Sequence, residues 1–200
     1  MLEIFYKGGW MMLPLAVCSF VALTVVIDRA LYFRRIHARP QAQKMLSLIT
    51  QQKFADALAL AEQHGAPLLK VLAAGVLERQ ADPAQAMEAV GIEQVTSMKR
   101  GLIALDTIIT LAPLLGLLGT IIGMIQSFQV MAQTGLGQPH AVTGGVAEAL
   151  IATATGISVA VVALIPYNYF SERVAREVAA IEAFATRAEA ALRTTGQRPS

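Results

Sequence analysis

Charge is scarce in this chain. Of its 200 residues 15% are Asp, Glu, Lys or Arg, whereas 55% are hydrophobic; a soluble globular domain carries about a quarter charged residues. The scarcity is concentrated. Residues 8–27, 107–147 and 149–171 contain no charged side chain at all. A spanning helix takes about 20 mostly apolar residues. The first and third runs each fit one span; the middle run is too long for one, so its polar end is read as a loop. Cysteine is nearly absent too. Cys18 is the only one, which excludes an intramolecular disulfide framework. It lies inside the first apolar run and reads as a small lipid-buried residue. Leu15-Ala16-Val17-Cys18 does not make a lipoprotein cleavage site, because Val17 is large and the apolar run continues past Cys18 to Ile27. Asp28, Arg29, Arg34 and Arg35 follow that run as a cytoplasmic anchor would, which argues against a cleaved signal peptide.

Chemistry-bearing motifs are missing as well. His37, His64 and His140 share no ligand spacing, so no metal site is expected. No phosphate loop, nucleophile elbow or paired carboxylate is present. No enzyme activity and no cofactor are therefore expected. The basic residues are scattered and not interleaved with aromatics, which excludes a nucleic-acid surface.

What is present is order in the placement of charge. Residues 28–106 hold ten of the sixteen Lys and Arg, residues 172–200 hold five, and residues 133–146 hold none. Basic loops face the cytoplasm. The expected layout is therefore an outer N-terminus at 1–9, a first span at 10–27, a cytoplasmic helical region at 28–106, a second span at 107–132, an outer loop at 133–142, a third span at 143–170 and a cytoplasmic C-terminal helix and tail at 171–200. Trp10 and the Tyr32-Phe33 pair bracket the first span as an interfacial aromatic belt would.

The polar stretch reads as helical. Pro40, Pro67 and Pro83 mark helix starts, with Asp82 as N-cap before Pro83, and His64-Gly65 marks a helix end. Helices are expected near 41–51, 53–64 and 67–80. Val95, Met98, Leu102, Leu105 and Ile109 then recur at spacings of three and four, a seam that packs on another helix. With no breaker recognised, one helix is expected from about 83 to 132, bent at Pro113. A second seam, Val174, Val178, Ile181, Ala185, Ala188 and Leu192, extends the third span. Residues from Thr194 onward form a polar tail. The fold class is thus an all-α membrane protein with three transmembrane helices, the second and third extending into a cytoplasmic helical bundle.

Glu148 is the only charged side chain between Asp106 and Glu172. A charge at membrane depth costs about 2.5–3.5 kcal/mol on insertion scales and usually marks an ion path. The competing reading is an interfacial carboxylate at the outer helix end, close after Gly144-Gly145. Ala149, Ala152, Gly156, Ala160 and Ala163 form a small-residue stripe that reads as structural packing. Thr153 and Thr155 add hydroxyls to this helix, and Thr155 falls on nearly the same face as Glu148. On the second span Gly116, Gly119, Thr120 and Gly123 follow Pro113, and Gly119-x-x-x-Gly123 is a close-packing pattern. Asp106 reads as a solvated interfacial charge.

Two blocks resemble the MotA/TolQ/ExbB proton-channel family: Leu105-Asp-Thr-Ile-Ile-Thr-Leu-Ala-Pro-Leu-Leu-Gly-Leu-Leu-Gly-Thr-Ile-Ile-Gly-Met124, and Gly144-Gly-Val-Ala-Glu-Ala-Leu-Ile-Ala-Thr-Ala-Thr-Gly156 followed by Tyr167-Asn168. The three-span layout is similar to the ExbB/TolQ branch; MotA-like proteins have four spans. The resemblance implies a homopentamer whose second and third spans line a pore in the bacterial inner membrane. It also implies an ExbD/TolR-like subunit threading that pore, and a TonB- or TolA-like protein driven by proton flow. Glu148 matches the family's membrane carboxylate, and Thr120 and Thr153 match its pore hydroxyls. The resemblance leaves two roles open: an ExbB-like one in TonB-driven outer-membrane uptake, or a TolQ-like one in a Tol-Pal-type envelope machine. A non-conducting membrane scaffold is the alternative of another class. The family's third span often carries a proline near Val162, whereas this chain has Pro166, so any kink is expected nearer the cytoplasm.

Overall fold

A computed structural model of the chain describes residues 9–36, 39–134 and 139–196. The expected outer segment at 1–8, His37, the loop at 135–138, the His140 side chain and the tail from 197 lie outside the described residues. Seven helices are described: α1 (Met12–Arg35), α2 (Arg39–Thr50), α3 (Phe54–His64), α4 (Pro67–Leu77), α5 (Pro83–Lys99), α6 (Leu102–Thr134) and α7 (Pro139–Gly196). No strand occurs among the described residues. Three helical stretches are long and apolar enough to cross a membrane: Met12–Arg34, Leu102–Ala132 and Thr143–Thr194.

Local chemistry sets most boundaries. α3 ends at His64 because Gly65 takes the left-handed conformation (φ 58°), from which its N–H reaches the Ala61 carbonyl at 3.0 Å. α4 opens on Pro67, whose missing N–H is no loss in a first turn. α5 also opens on proline, and the Gln85 N–H donates to Asp82 Oδ1 at 3.0 Å, the expected N-cap.

Several expectations need correction. The helix read as continuous from 83 to 132 is two helices, broken at Arg100-Gly101, where Gly101 has φ 83°. α4 stops at Leu77, three residues short of its expected end. The polar tail begins later than Thr194, because α7 remains helical to Gly196. Phe33 is no belt residue. It is 4% exposed and stacks on Phe170 with ring centroids 5.6 Å apart.

The chain divides into two compact units. The first comprises the described residues up to Asp28 together with Gly101–Tyr169, and so contains the apolar parts of α1, α6 and α7. Its interior is built on Leu15, Leu105, Ile108, Ala112, Ala149 and Ala152. Its outside is apolar as well: on α1, Leu13, Val17, Phe20, Leu23 and Ile27 recur every three or four residues and are all more than half exposed. In water such a face would have to be covered; in a bilayer it meets lipid. The chain is a multi-pass membrane protein.

The second unit comprises Arg29–Arg100 and Phe170–Ser200. Here α2, α3, α4 and α5 pack on one another around Met45, Ile49, Leu69, Leu72, Val76 and Met98. Met87 from α5 fills the space left by Gly75 of α4, where a β-carbon would lie 2.7 Å from its sulfur. On α7 the expected seam is present: Val174, Ile181, Ala188 and Leu192 are buried, and Val178 and Ala185 half-buried.

Candidate functional site

The site rests on how closely α6 and α7 approach. Along their contact the side chains nearly vanish. A β-carbon on Gly123 would lie 2.9 Å from Cβ of Ala149, one on Gly119 2.7 Å from Cβ of Ala152, and one on Gly116 3.0 Å from the Cα of Thr153. On the other helix, a β-carbon on Gly156 would strike the Ala112 carbonyl oxygen. As residue numbers rise on one helix they fall on the other, so the pair is antiparallel. Ala149, Ala152, Ala160 and Ala163 are all at most 7% exposed. The small-residue stripe is therefore the surface on which two backbones meet. Pro113 sits next to Ala112 within α6, and its missing N–H leaves the Ile109 carbonyl without its helical donor. Pro166 sits within α7 and lines a small apolar pocket with Ser19, Ala22, Val26 and Ala163.

Thr153 is drawn into this contact. Its hydroxyl is half-buried and donates across to the Gly116 carbonyl of α6 at 2.9 Å. Such a bond is possible only because Gly116 lets the helices come so close. Thr120 and Thr155, by contrast, bond within their own helices. Thr120 donates to the Leu117 carbonyl at 2.6 Å and Thr155 to the Ile151 carbonyl at 2.8 Å. Each hydroxyl oxygen keeps lone pairs that can accept a proton or water hydrogen.

Glu148 lies one residue before Ala149, at the edge of the stripe, and is half-buried. Its carboxylate rests against Gly9, just before α1, in the space a β-carbon on Gly9 would occupy. The structure thus brings Glu148 to the first span as well as to the α6–α7 pair. Thr155 follows it by seven residues, two turns along nearly the same face. Thr153, five residues on, points instead at α6. Asp106 is exposed near the start of α6, where its backbone carbonyl accepts from the Thr110 hydroxyl at 2.8 Å.

Two polar residues of consequence escaped the sequence reading. Ser127 is 2% exposed, donates to the Gly123 carbonyl at 2.8 Å and fills the space opposite Gly145. Its spacing of four from Gly123 and eight from Gly119 was the available signal. Arg29, read as an anchor, is 7% exposed and caps a helix. Its guanidinium donates to the Ser97 and Met98 carbonyls at 3.2 and 3.4 Å, at the end of α5, and lies 4.7 Å over the Tyr32 ring.

Comparison with known proteins places this geometry. Residues 63–183 match the MotA/TolQ/ExbB proton channel family, a stretch that contains Glu148 and all three threonines. The chain is 31% identical over 182 residues to the biopolymer transport protein ExbB-like 3 of Synechocystis, covering 88% of this chain and 87% of that one. It is 33% identical over 185 residues to the biopolymer transport protein exbB1 of Vibrio cholerae, covering 87% and 80%. The Tol-Pal system protein TolQ of Pseudomonas aeruginosa is 31% identical over 147 residues, covering 74% and 60%. The protein belongs to the MotA/TolQ/ExbB proton channel family, in its ExbB/TolQ branch.

Proposed function

We propose that this chain is the proton-conducting subunit of an inner-membrane complex that uses the proton motive force to drive a TonB-like protein in outer-membrane uptake. Glu148 carries the reading. It is the one charged side chain in the apolar parts of α6 and α7, and a carboxyl group there can take up a proton from one side and release it to the other. Thr155, Thr153 and Thr120 are the hydroxyls that relay the proton to and from it. Pro113, Gly116, Gly119, Gly123, Gly156 and Pro166 hold the two helices in the shape that keeps these groups in place. In the complex several copies of the chain, five on the family pattern, surround an ExbD/TolR-like subunit. The N-terminus faces the periplasm, and residues 28–106 and the C-terminus face the cytoplasm, a reading supported by the distribution of Lys and Arg.

The likeness to TolQ supports a second reading, in which the same machinery drives a TolA-like protein. The test is energised ferric-siderophore uptake in the source cell, with the gene intact, deleted, or carrying Glu148→Gln at equal expression. The ExbB-like reading expects both deletion and Glu148→Gln to abolish uptake, because an amide cannot cycle a proton. Uptake that survives deletion, together with an envelope-constriction defect, assigns the chain to the TolQ-like role. Loss on deletion with full activity in Glu148→Gln rejects Glu148 as the carrier and favours the scaffold.

A further inference from the structure

Gly9 stands just ahead of α1 in the left-handed conformation (φ 67°), which other residues rarely adopt. Its carbonyl accepts from the Met12 N–H at 3.1 Å, and the Trp10 carbonyl accepts from the Leu13 N–H at 3.1 Å, so Gly9 belongs to the turn that leads into α1. That turn is pinned. Met11, 4% exposed, packs on α6, where a β-carbon on Gly119 would lie 3.5 Å from its Cβ and 3.6 Å from its Cγ. Met12 and Leu15 are buried as well. An apolar anchor thus holds the turn to α6 two residues from the point at which Gly9 meets α7.

What Gly9 meets on α7 is one side chain. A β-carbon there would lie 2.8 Å from Cδ and 3.3 Å from Cγ of Glu148, and would overlap a carboxylate oxygen. Contact this close requires a residue without a side chain at position 9. An added methyl group must displace one of the two partners. The turn is fixed through Met11, whereas the end of a glutamate swings about its side-chain bonds, so the carboxyl group gives way.

We propose that Gly9 is a positioning residue for proton transfer: its bare backbone is the seat that fixes the Glu148 carboxyl group, and the turn before α1 completes a site otherwise built from α6 and α7. The inference deepens the proposed function and rests on Glu148 as the proton carrier. Proton transfer needs its partners within hydrogen-bond reach, about 2.6–3.2 Å, so a displaced carboxyl group halts it while the fold stands.

The test uses the full-length protein, with any subunits that co-purify, and compares Gly9→Ala with Gly65→Ala. Gly65 is also left-handed (φ 58°), but nothing among the described residues lies within 4 Å of a β-carbon there, so alanine brings the backbone strain without the collision. Gly9→Ala is expected to slow energised uptake about a hundredfold, the scale set by a misplacement of about 1 Å, and Gly65→Ala to leave it unchanged. Melting temperatures are expected to fall alike in the two. Modification by a water-soluble carbodiimide, counted by mass spectrometry as the ratio of Glu148 to Asp106, is expected to rise in Gly9→Ala only. Normal uptake in Gly9→Ala overturns the proposal, and so does an unchanged ratio. Loss of uptake in Gly65→Ala overturns it too, since strain alone would then suffice. So does a much larger fall in melting temperature for Gly9→Ala, because the turn would have yielded instead of the carboxyl group. The ratio reads the seat without reference to conduction, so its failure is distinct from failure of the proton reading, which Glu148→Gln tests.

Discussion

Thr153 connects packing with the proposed proton path through a single hydroxyl. Its bond to the Gly116 carbonyl joins α6 to α7 at 2.9 Å. Replacing it with valine keeps the shape and removes the bond, a loss of about 0.6 kcal/mol for an average interhelical bond in a membrane. The expected result for Thr153→Val is a small fall in thermal stability in detergent but a large fall in energised uptake, while Thr153→Ser retains both. Matching small losses in the two measurements would reduce Thr153 to a packing residue. Gly156 is the opposite case, with no chemistry and strict geometry. A methyl group there meets the Ala112 backbone, which cannot swing aside as a side chain could. Gly156→Ala is expected to destabilise the protein by about 1–3 kcal/mol, the usual cost of overpacking, read as a lower melting temperature.

At the scale of elements, the break between α5 and α6 shows what periodicity conceals. Val95, Met98, Leu102 and Leu105 keep helical spacing across Arg100-Gly101 and are all buried or half-buried, yet the helix stops there. A seam reports which faces are apolar, not whether the backbone between them is unbroken. The stop was nevertheless written locally. Lys99 and Arg100 precede Gly101, and basic residues followed by glycine are a common helix end. At φ 83° Gly101 has a conformation that other residues adopt only with strain. Gly101→Ala is therefore expected to cost about 1–3 kcal/mol, measured by thermal unfolding, whereas a helix continuous through this point would gain from alanine. Boundaries set by such local chemistry, at Gly65, Pro67 and Asp82, were legible. Partners supplied from far along the chain were not. Nothing near Arg29 in sequence indicates that it caps α5, nor does anything near Glu148 point to Gly9. In both pairs the contact comes from the fold.

Over the whole molecule, the apolar runs and the charge distribution make a joint statement about the membrane. Cys18 is half-buried within the apolar part of α1, and as the sole cysteine it is a built-in control. A membrane-impermeant maleimide is expected to leave it unlabelled in intact vesicles of either orientation. Glu62→Cys, at an exposed position on α3, is expected to label only when the cytoplasmic face is accessible. Labelling from the opposite face would invert the topology argued from Lys and Arg. The contact between α6 and α7 bears on how such a molecule can move. Two backbones pressed together with almost no side chains between them have no clearance in which to slide, and turning either about its axis would drive a larger residue into the other. The pair is one gear wheel rather than two, so under the proposed proton cycle at Glu148 any motion is displaced outward, to wherever this pair meets a surface that still has slack.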